Sequence, residues 1–340
     1  TAHPKQFLDI LGTGRTLLQQ TYDRLVRIVP ASNIYVVTNE SYESLVKEQL
    51  PGLKKENILC EPSRKNTAPC IAYASYKIHR IDPQANIVVA PSDHLIIKED
   101  TFVKAIKSCF TKTKSEDCLL TIGIRPTRPD TGYGYIQFRE PDKAEKDKRI
   151  KKVKTFTEKP DLEMAKFFLQ SGDFLWNSGI FIFSSESIIR AFEKYLPEMH
   201  TIFAGGNKVY GTAKEKNFLT DAYSRCKNIS IDYAIMEKAD NVFVRSSIIG
   251  WSDLGTWGSL YSHIKKDDAG NAIVGKDVMM YQSKNCIVNV SRGKLVVIEG
   301  LEDYIVVESD NIILICKKQD EQQIRNFVND VKISKGDKFI

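Results

Sequence analysis

Two aspartates stand directly after apolar, strand-like runs: Asp93 in Ala90-Pro91-Ser92-Asp93-His94, and Asp253 in Gly250-Trp251-Ser252-Asp253-Leu254-Gly255-Thr256-Trp257. That is the carboxyl edge at which open α/β sheets bind ligands. One such aspartate alone reads as a helix cap or turn residue. Two carboxylates from distant segments are what a hard cation bridging phosphate oxygens needs, because magnesium keeps several waters and takes only one or two protein carboxylates. Phe156-Thr157-Glu158-Lys159-Pro160 sets an acceptor beside a cation. Glu158 suits sugar hydroxyls and Lys159 suits phosphate, although a lone Glu-Lys pair is also an ordinary surface ion pair. Trp176-Asn177-Ser178-Gly179 places two polar side chains inside an apolar strand, where they are costly to bury without partners, and a ligand is one such partner. Gly132-Tyr133-Gly134-Tyr135 supplies backbone that a ligand can approach closely. Glu61-Pro62-Ser63-Arg64-Lys65-Asn66-Thr67 ends at a helix amino terminus, where free amides can contact an anion or a nucleobase; by itself it is a capped turn. His3, His79, His94, His200 and His263 are dispersed, so neither a catalytic dyad nor a zinc site is favoured.

The elements that must hold these residues follow from periodicity. Up to about residue 265, short β-branched runs alternate with helix-like stretches, which calls for a largely parallel sheet with helices on both faces. Strands are expected at 34–38, 87–90, 119–122, 133–138, 174–183 and 242–244, and helices at 15–29 and from Asn66-Thr67 onward, with Pro69 in the first turn. The segment Lys143 to Lys154 carries seven basic residues and reads as an exposed loop leading into a solvent-facing strand, with a phosphate-binding patch as the second reading. After Asp267-Asp268-Ala269-Gly270-Asn271 the pattern changes to short strands separated by Gly, Asn, Ser and Asp, a small all-β domain closed by a helix over 320–331 whose Ile324, Phe327, Val328 and Val331 are expected to pack on it. The expected division is therefore 1–266 and 267–340.

Composition narrows the function classes. With 49 Lys+Arg against 43 Asp+Glu, the net charge of +6 is too mild for a nucleic-acid or membrane-surface protein, while anionic small molecules remain suitable ligands. The longest apolar runs, 87–90 and 312–315, fall far short of the ~20 residues of a membrane span, so a cytoplasmic protein is expected. Seven cysteines without a CxxC pair read as buried thiols.

Taken in order, Pro4-Lys5-Gln6-Phe7, the 61–69 stretch, 90–94, 132–135, 156–160, 176–179, Ile231-Asp232-Tyr233-Ala234-Ile235-Met236-Glu237 and 250–257 resemble the mannose-1-phosphate guanylyltransferases over nearly the whole chain. The resemblance implies a Rossmann-like nucleotidyltransferase domain with a mostly parallel sheet, followed by a small domain of left-handed β-helix type. It implies that GTP and mannose 1-phosphate give GDP-mannose and pyrophosphate, the sugar phosphate attacking the α-phosphorus in line. Under it, Lys5 would stabilise the triphosphate and Lys159 hold the sugar phosphate; Asp93 and Asp253 would hold magnesium. Glu61, Asn66, Thr67, Pro91 and Ser92 would line the nucleotide, and Gly134, Glu158, Asn177 and Ser178 the mannose. It further implies a first strand and a glycine-rich triphosphate loop, Gly-Gly-x-Gly-x-Arg, ahead of Thr1. Ser63-Arg64-Lys65 departs from the Gly-Arg pair usual before Asn-Thr, which unsettles the base contacts there and not the reaction class. A sister enzyme using another NTP and sugar phosphate, and a non-catalytic nucleotide-sugar binder, are the alternative readings. Short β-domain edges and the terminal helix suit a homodimer.

Overall fold

The computed structural model describes residues 4–140, 147–291, 293–309 and 311–339. His3, the Lys143–Lys146 part of the basic segment and Ile340 lie outside them. The chain forms two compact units, Tyr22–Pro91 with Ile96–Trp251, and Thr1–Thr21 with Ser92–Leu95 and Ser252–Ile340.

In the first unit, β1 (Val36–Asn39) and β2 (Ile58–Glu61) form a parallel pair. A six-stranded sheet follows, built from β3 (Asn86–Val89), β4 (Leu119–Ile124), β5 (Tyr135–Phe138), β6 (Ile150–Thr157), β7 (Phe174–Ser184) and β8 (Val242–Ser246), in the order β3-β7-β4-β8-β6-β5. The expected α/β architecture is present, but the sheet is mixed rather than mostly parallel. β7 runs antiparallel to β3, β4 and β5, and within this sheet, among the described residues, only β4 and β8 pair in parallel. An apolar run says that a strand is buried on both faces and is silent on its direction.

Alternation along the strands divides the core. Leu119, Phe181 and Phe183 face one side, against Tyr76 of the helix Thr67–Ile81 and Phe192 of the helix Ser185–Tyr195. Leu120, Ile122, Ile180 and Ile182 face the other, against Phe102, Ile106 and Cys109 of the helix Glu99–Ser115. Burying alternate residues on both faces fixes each strand's facing, since a one-residue slip would exchange the two sets.

The second unit contains the β domain. Ala272–Val274 (β9), Ile287–Asn289 (β11) and Tyr304–Ser309 (β13) stack in parallel, as do Val278–Tyr281 (β10) and Val296–Glu299 (β12). Strands recurring in parallel register make a β-helix-like stack, filled by Cys286, Val288, Val290, Ile298 and Val306. β14 (Ile312–Lys317) closes it antiparallel to β13. The terminal helix spans Ile324–Lys335. Ile324 packs on the strands as expected, but Phe327 and Val328 are 40% and 42% exposed, so the helix is attached by its first turn rather than by a whole apolar face. All seven cysteines are free thiols, with Cys60 and Cys70 half-buried instead of buried.

Candidate functional site

Lys5, Asp93 and Asp253 come from three remote segments of the second unit, which one apolar cluster gathers. Leu17, Leu95, Leu254 and Leu260 are buried together, with Ile10, Leu11 and Trp257 against them. Phe7, 6% exposed, anchors the turn that carries Lys5. The outcome is that Lys5 Nζ lies 3.0 Å from Asp93 Oδ2 and donates to the backbone carbonyl of Asp253 at 2.6 Å. His94 Nε2 is 3.8 Å from the other oxygen of Asp93. The Asp253 carboxylate accepts from Gly255 N at 3.0 Å, and a Cβ on Gly255 would fall 2.6 Å from Asp253 Oδ2, so the turn folds this carboxylate closely over the Gly255 backbone. Lys5 is thus held by one carboxylate oxygen of Asp93 and by the main-chain carbonyl, not the carboxylate, of Asp253.

In the first unit, the sheet register brings Gly134, Glu158 and Asn177 together. Tyr135 pairs with both Thr157 and Trp176, so the next position along each strand places Gly134 between Glu158 and Asn177. A Cβ on Gly134 would lie 2.6 Å from Glu158 Oε1, and Asn177 N donates to the Gly134 carbonyl at 2.8 Å. Burial, and then the nearby Asp232, push the Glu158 carboxyl up to about 6, while Lys159 pulls the other way. Asn177 Nδ2 donates to Asp232 Oδ1 at 2.7 Å. Its Oδ1 accepts from Gly179 N at 3.1 Å and from Thr121 Oγ1 at 3.3 Å. Ser178 is a correction: it is 1% exposed and its hydroxyl donates to the Ile122 carbonyl at 2.7 Å, because its position on β7 points it into the sheet and away from any ligand.

Glu61 ends β2, where burial pushes its carboxyl up to about 7 against the opposing effect of a 2.9 Å hydrogen bond from Tyr223 Oη. Asn66 caps the helix Thr67–Ile81 by accepting from Thr67 N at 2.8 Å, whereas the Thr67 hydroxyl accepts from Ile231 N at 2.9 Å and so ties two segments together. Arg64, the departure noted in the sequence, hydrogen-bonds the Tyr42 hydroxyl and lies 5.3 Å over its ring. Pro91 and Ser92 follow β3 as half-buried residues.

Backbone conformation singles out the same motifs. Among the described residues, non-glycine positive φ occurs at Asn66 (69°), Lys159 (46°) and Leu254 (48°), and otherwise at Gln282, Asn285 and Asp303 in the β domain. A left-handed non-glycine residue costs about 1–2 kcal/mol and persists where the surroundings over-determine it, typically at ligand sites. Asp232, Tyr223 and Thr121 were not singled out as site residues by their sequence. Asp232 belongs to a motif that carried the resemblance, but its role depends on contacts made across the sheet.

Residues 1–270 match the family model of the nucleotidyl transferases, and residues 276–331 match that of the MannoseP isomerase/GMP-like beta-helix domain. The chain is 34% identical over 337 residues to a mannose-1-phosphate guanylyltransferase of Escherichia coli, covering 98% of this chain and 72% of that protein. It is 36% identical over 340 residues to that of Salmonella montevideo, with 98% and 70% covered. Among solved structures, a crystal structure of a mannose-1-phosphate geranyltransferase from Thermus thermophilus superposes with a TM-score of 0.86 at 26% identity, over 97% of this chain and 93% of that one.

Proposed function

This chain belongs to the nucleotidyl transferase family, among the mannose-1-phosphate guanylyltransferases, and on that premise we propose how its own residues serve the synthesis of GDP-mannose and pyrophosphate from GTP and mannose 1-phosphate. The observation that carries the reading is the Lys5 ammonium held between the Asp93 carboxylate and the Asp253 carbonyl. Lys5 serves the triphosphate, offsetting charge on the leaving pyrophosphate, as a fixed ammonium does without reorganisation. Asp93 and Asp253 are the residues that would hold magnesium, which when bound supplies a Lewis acid for phosphate oxygens.

Glu158 accepts from mannose hydroxyls, and Gly134 lets the sugar ring approach the backbone. Asn177, beside Glu158 across Gly134, contacts the mannose with it, and Lys159 holds the sugar phosphate. Glu61 and Asn66, with Pro91 and Ser92, serve the guanosine side; Thr67 contributes by fixing the turn. The transferase chemistry is assigned to residues 1–266 and the β domain to 267–340. A homodimer in the cytoplasm, with no nucleic-acid or membrane partner, completes the reading. No described helix is long and apolar enough to cross a membrane.

The test is pyrophosphate release by the full-length protein with magnesium, offering mannose 1-phosphate or glucose 1-phosphate with each of GTP, ATP, UTP and dTTP, in wild type and in Lys5→Met and Asp93→Asn. Release confined to GTP with mannose 1-phosphate, and lowered about 100-fold or more by either substitution, is expected for groups acting on transition-state charge. Full activity of both variants would remove these two residues from the site.

A further inference from the structure

Tyr223 lies on the helix Glu215–Arg225 and Glu61 at the end of β2, 162 residues apart in the chain, and one hydrogen bond joins them: the tyrosine hydroxyl donates to Glu61 Oε1 at 2.9 Å. The tyrosine is locked in place. Its side chain is 1% exposed, belongs to the core, and meets the Phe203 ring edge-on with centroids 6.0 Å apart. Burial, and then the nearby Glu61, push its ionisation well above the ordinary phenol range, so it remains an O–H donor at any pH at which an enzyme works. Among the described residues it is the one hydrogen-bond donor to the Glu61 carboxyl, and Glu61 Oε2 accepts from none. A half-buried carboxyl held at one oxygen and open at the other can take a donor from a ligand. Guanine carries two donors side by side, N1–H and the 2-amino group, and an ionised carboxyl accepts from them without offering a proton of its own. We propose that Tyr223 is a positioning residue for the guanine base: by donating to Oε1 it holds the Glu61 carboxyl in one orientation, as an acceptor, with Oε2 left for the base.

This inference rests on the assignment of Glu61 to the guanosine side. The titratable groups that face Glu61 are Tyr223 and, from the helix Thr67–Ile81, Cys70, whose thiol is pushed up by burial and stays neutral. From β1, the Asn39 amide donates at 3.1 Å to the main-chain carbonyl of Glu61 and not to its carboxyl. Tyr223 is therefore the group that favours the carboxylate against the burial that opposes it. Its hydroxyl has two effects on GTP: it orients the acceptor, and it raises the share of ionised Glu61 near neutral pH.

Tyr223→Phe removes the hydroxyl and keeps the ring with its packing on Phe203. Pyrophosphate release by the full-length protein with magnesium, GTP and mannose 1-phosphate is measured from about pH 5.5 to about pH 9, a range that brackets the titration of Glu61. At the alkaline end, where the carboxylate form prevails, the KM for GTP is expected to rise about tenfold with the KM for mannose 1-phosphate unchanged, the size of effect that follows from losing the hydrogen bond that fixes a charged group. The acid limb of kcat/KM for GTP, set by Glu61 at about 7, moves to higher pH by about half a unit or more, because the donor that favoured the carboxylate is gone.

A tyrosine that only supported the core would lower the melting temperature and the yield of active enzyme while leaving both KM values and that limb in place. An unmoved limb in Tyr223→Phe, or an unchanged KM for GTP, overturns the proposal. Glu61→Gln, which cannot ionise, is the control. If it raises the KM for GTP and abolishes the limb while Tyr223→Phe does neither, positioning by Tyr223 fails alone. If Glu61→Gln leaves the KM for GTP and the limb as they are, the assignment of Glu61 to the base has failed and the inference with it.

Discussion

Glu61 should make the stability of this protein depend on pH in a direction opposite to that of most carboxylates. Its side chain ends β2 with Tyr223 Oη as its hydrogen-bond donor, and burial pushes its carboxyl from the ordinary 4.5 up to about 7. The folded chain therefore prefers the neutral acid. Below about pH 4.5 the group is protonated in both folded and unfolded chains and its contribution is fully present; as pH rises through the folded value the folded state must carry a buried carboxylate, and the contribution is lost. The gap between the two values corresponds to ~3 kcal/mol at 1.36 kcal/mol per unit, an upper figure for a half-buried group.

Glu61→Gln keeps an acceptor for the tyrosine hydroxyl and cannot ionise. Relative to wild type it should be within ~1 kcal/mol near pH 5 and more stable by ~2–3 kcal/mol near pH 8. Urea unfolding of both proteins at those two pH values, in the absence of nucleotide, measures the difference. An equal gap at both pH values would show that Glu61 is not held neutral by burial. A gap that closes on adding GTP would instead show the carboxylate form being drawn out by ligand, since a ligand that binds one protonation state stabilises it by mass action.

Two further outcomes follow from the geometry. Gly134→Ala places a methyl group where Glu158 Oε1 now lies, 2.6 Å from an ideal Cβ, and the atom in the way is the mobile end of a side chain. Displacing that carboxylate should raise the KM for mannose 1-phosphate about tenfold while unfolding free energy stays within ~1 kcal/mol, so a variant that loses both equally would refute the close approach. Arg245, 2% exposed, pairs with Asp147 at 3.0 Å and donates to Ser247 Oγ at 2.7 Å. Asp147→Ala should cost ~3–5 kcal/mol in urea unfolding by leaving a buried guanidinium unpaired, and adding Arg245→Met should recover much of the loss; a double variant no better than the single would contradict that cause.

The sequence alone carried the chemistry of single segments and the class of the elements. Short motifs identified Asp93, Glu158, Lys159 and Asp253, because polar residues at the ends of apolar runs stand out whatever the chain does next, whereas Lys5 was marked only by the resemblance. Alternation located the strands, and the change of pattern after Asn271 announced the β domain, because side chains that must point into a core repeat with the period of the element. The terminal helix shows where that reasoning stops, since its apolar positions 327 and 328 are periodic and yet largely exposed.

Tertiary structure decided everything that depends on which segments meet. The sense of β7 could not be read, because periodicity states the face of a strand and not its direction. The meeting of Lys5 with Asp93 and Asp253 depends on Leu17, Leu95, Leu254 and Leu260 packing across more than two hundred residues of chain. The inward turn of Ser178, the hydrogen bond from Asn177 to Asp232, and the raised carboxyls of Glu61 and Glu158 follow from register and burial. Those are properties of neighbours brought together by folding, and a carboxylate's charge responds to its neighbours in space rather than to those in sequence.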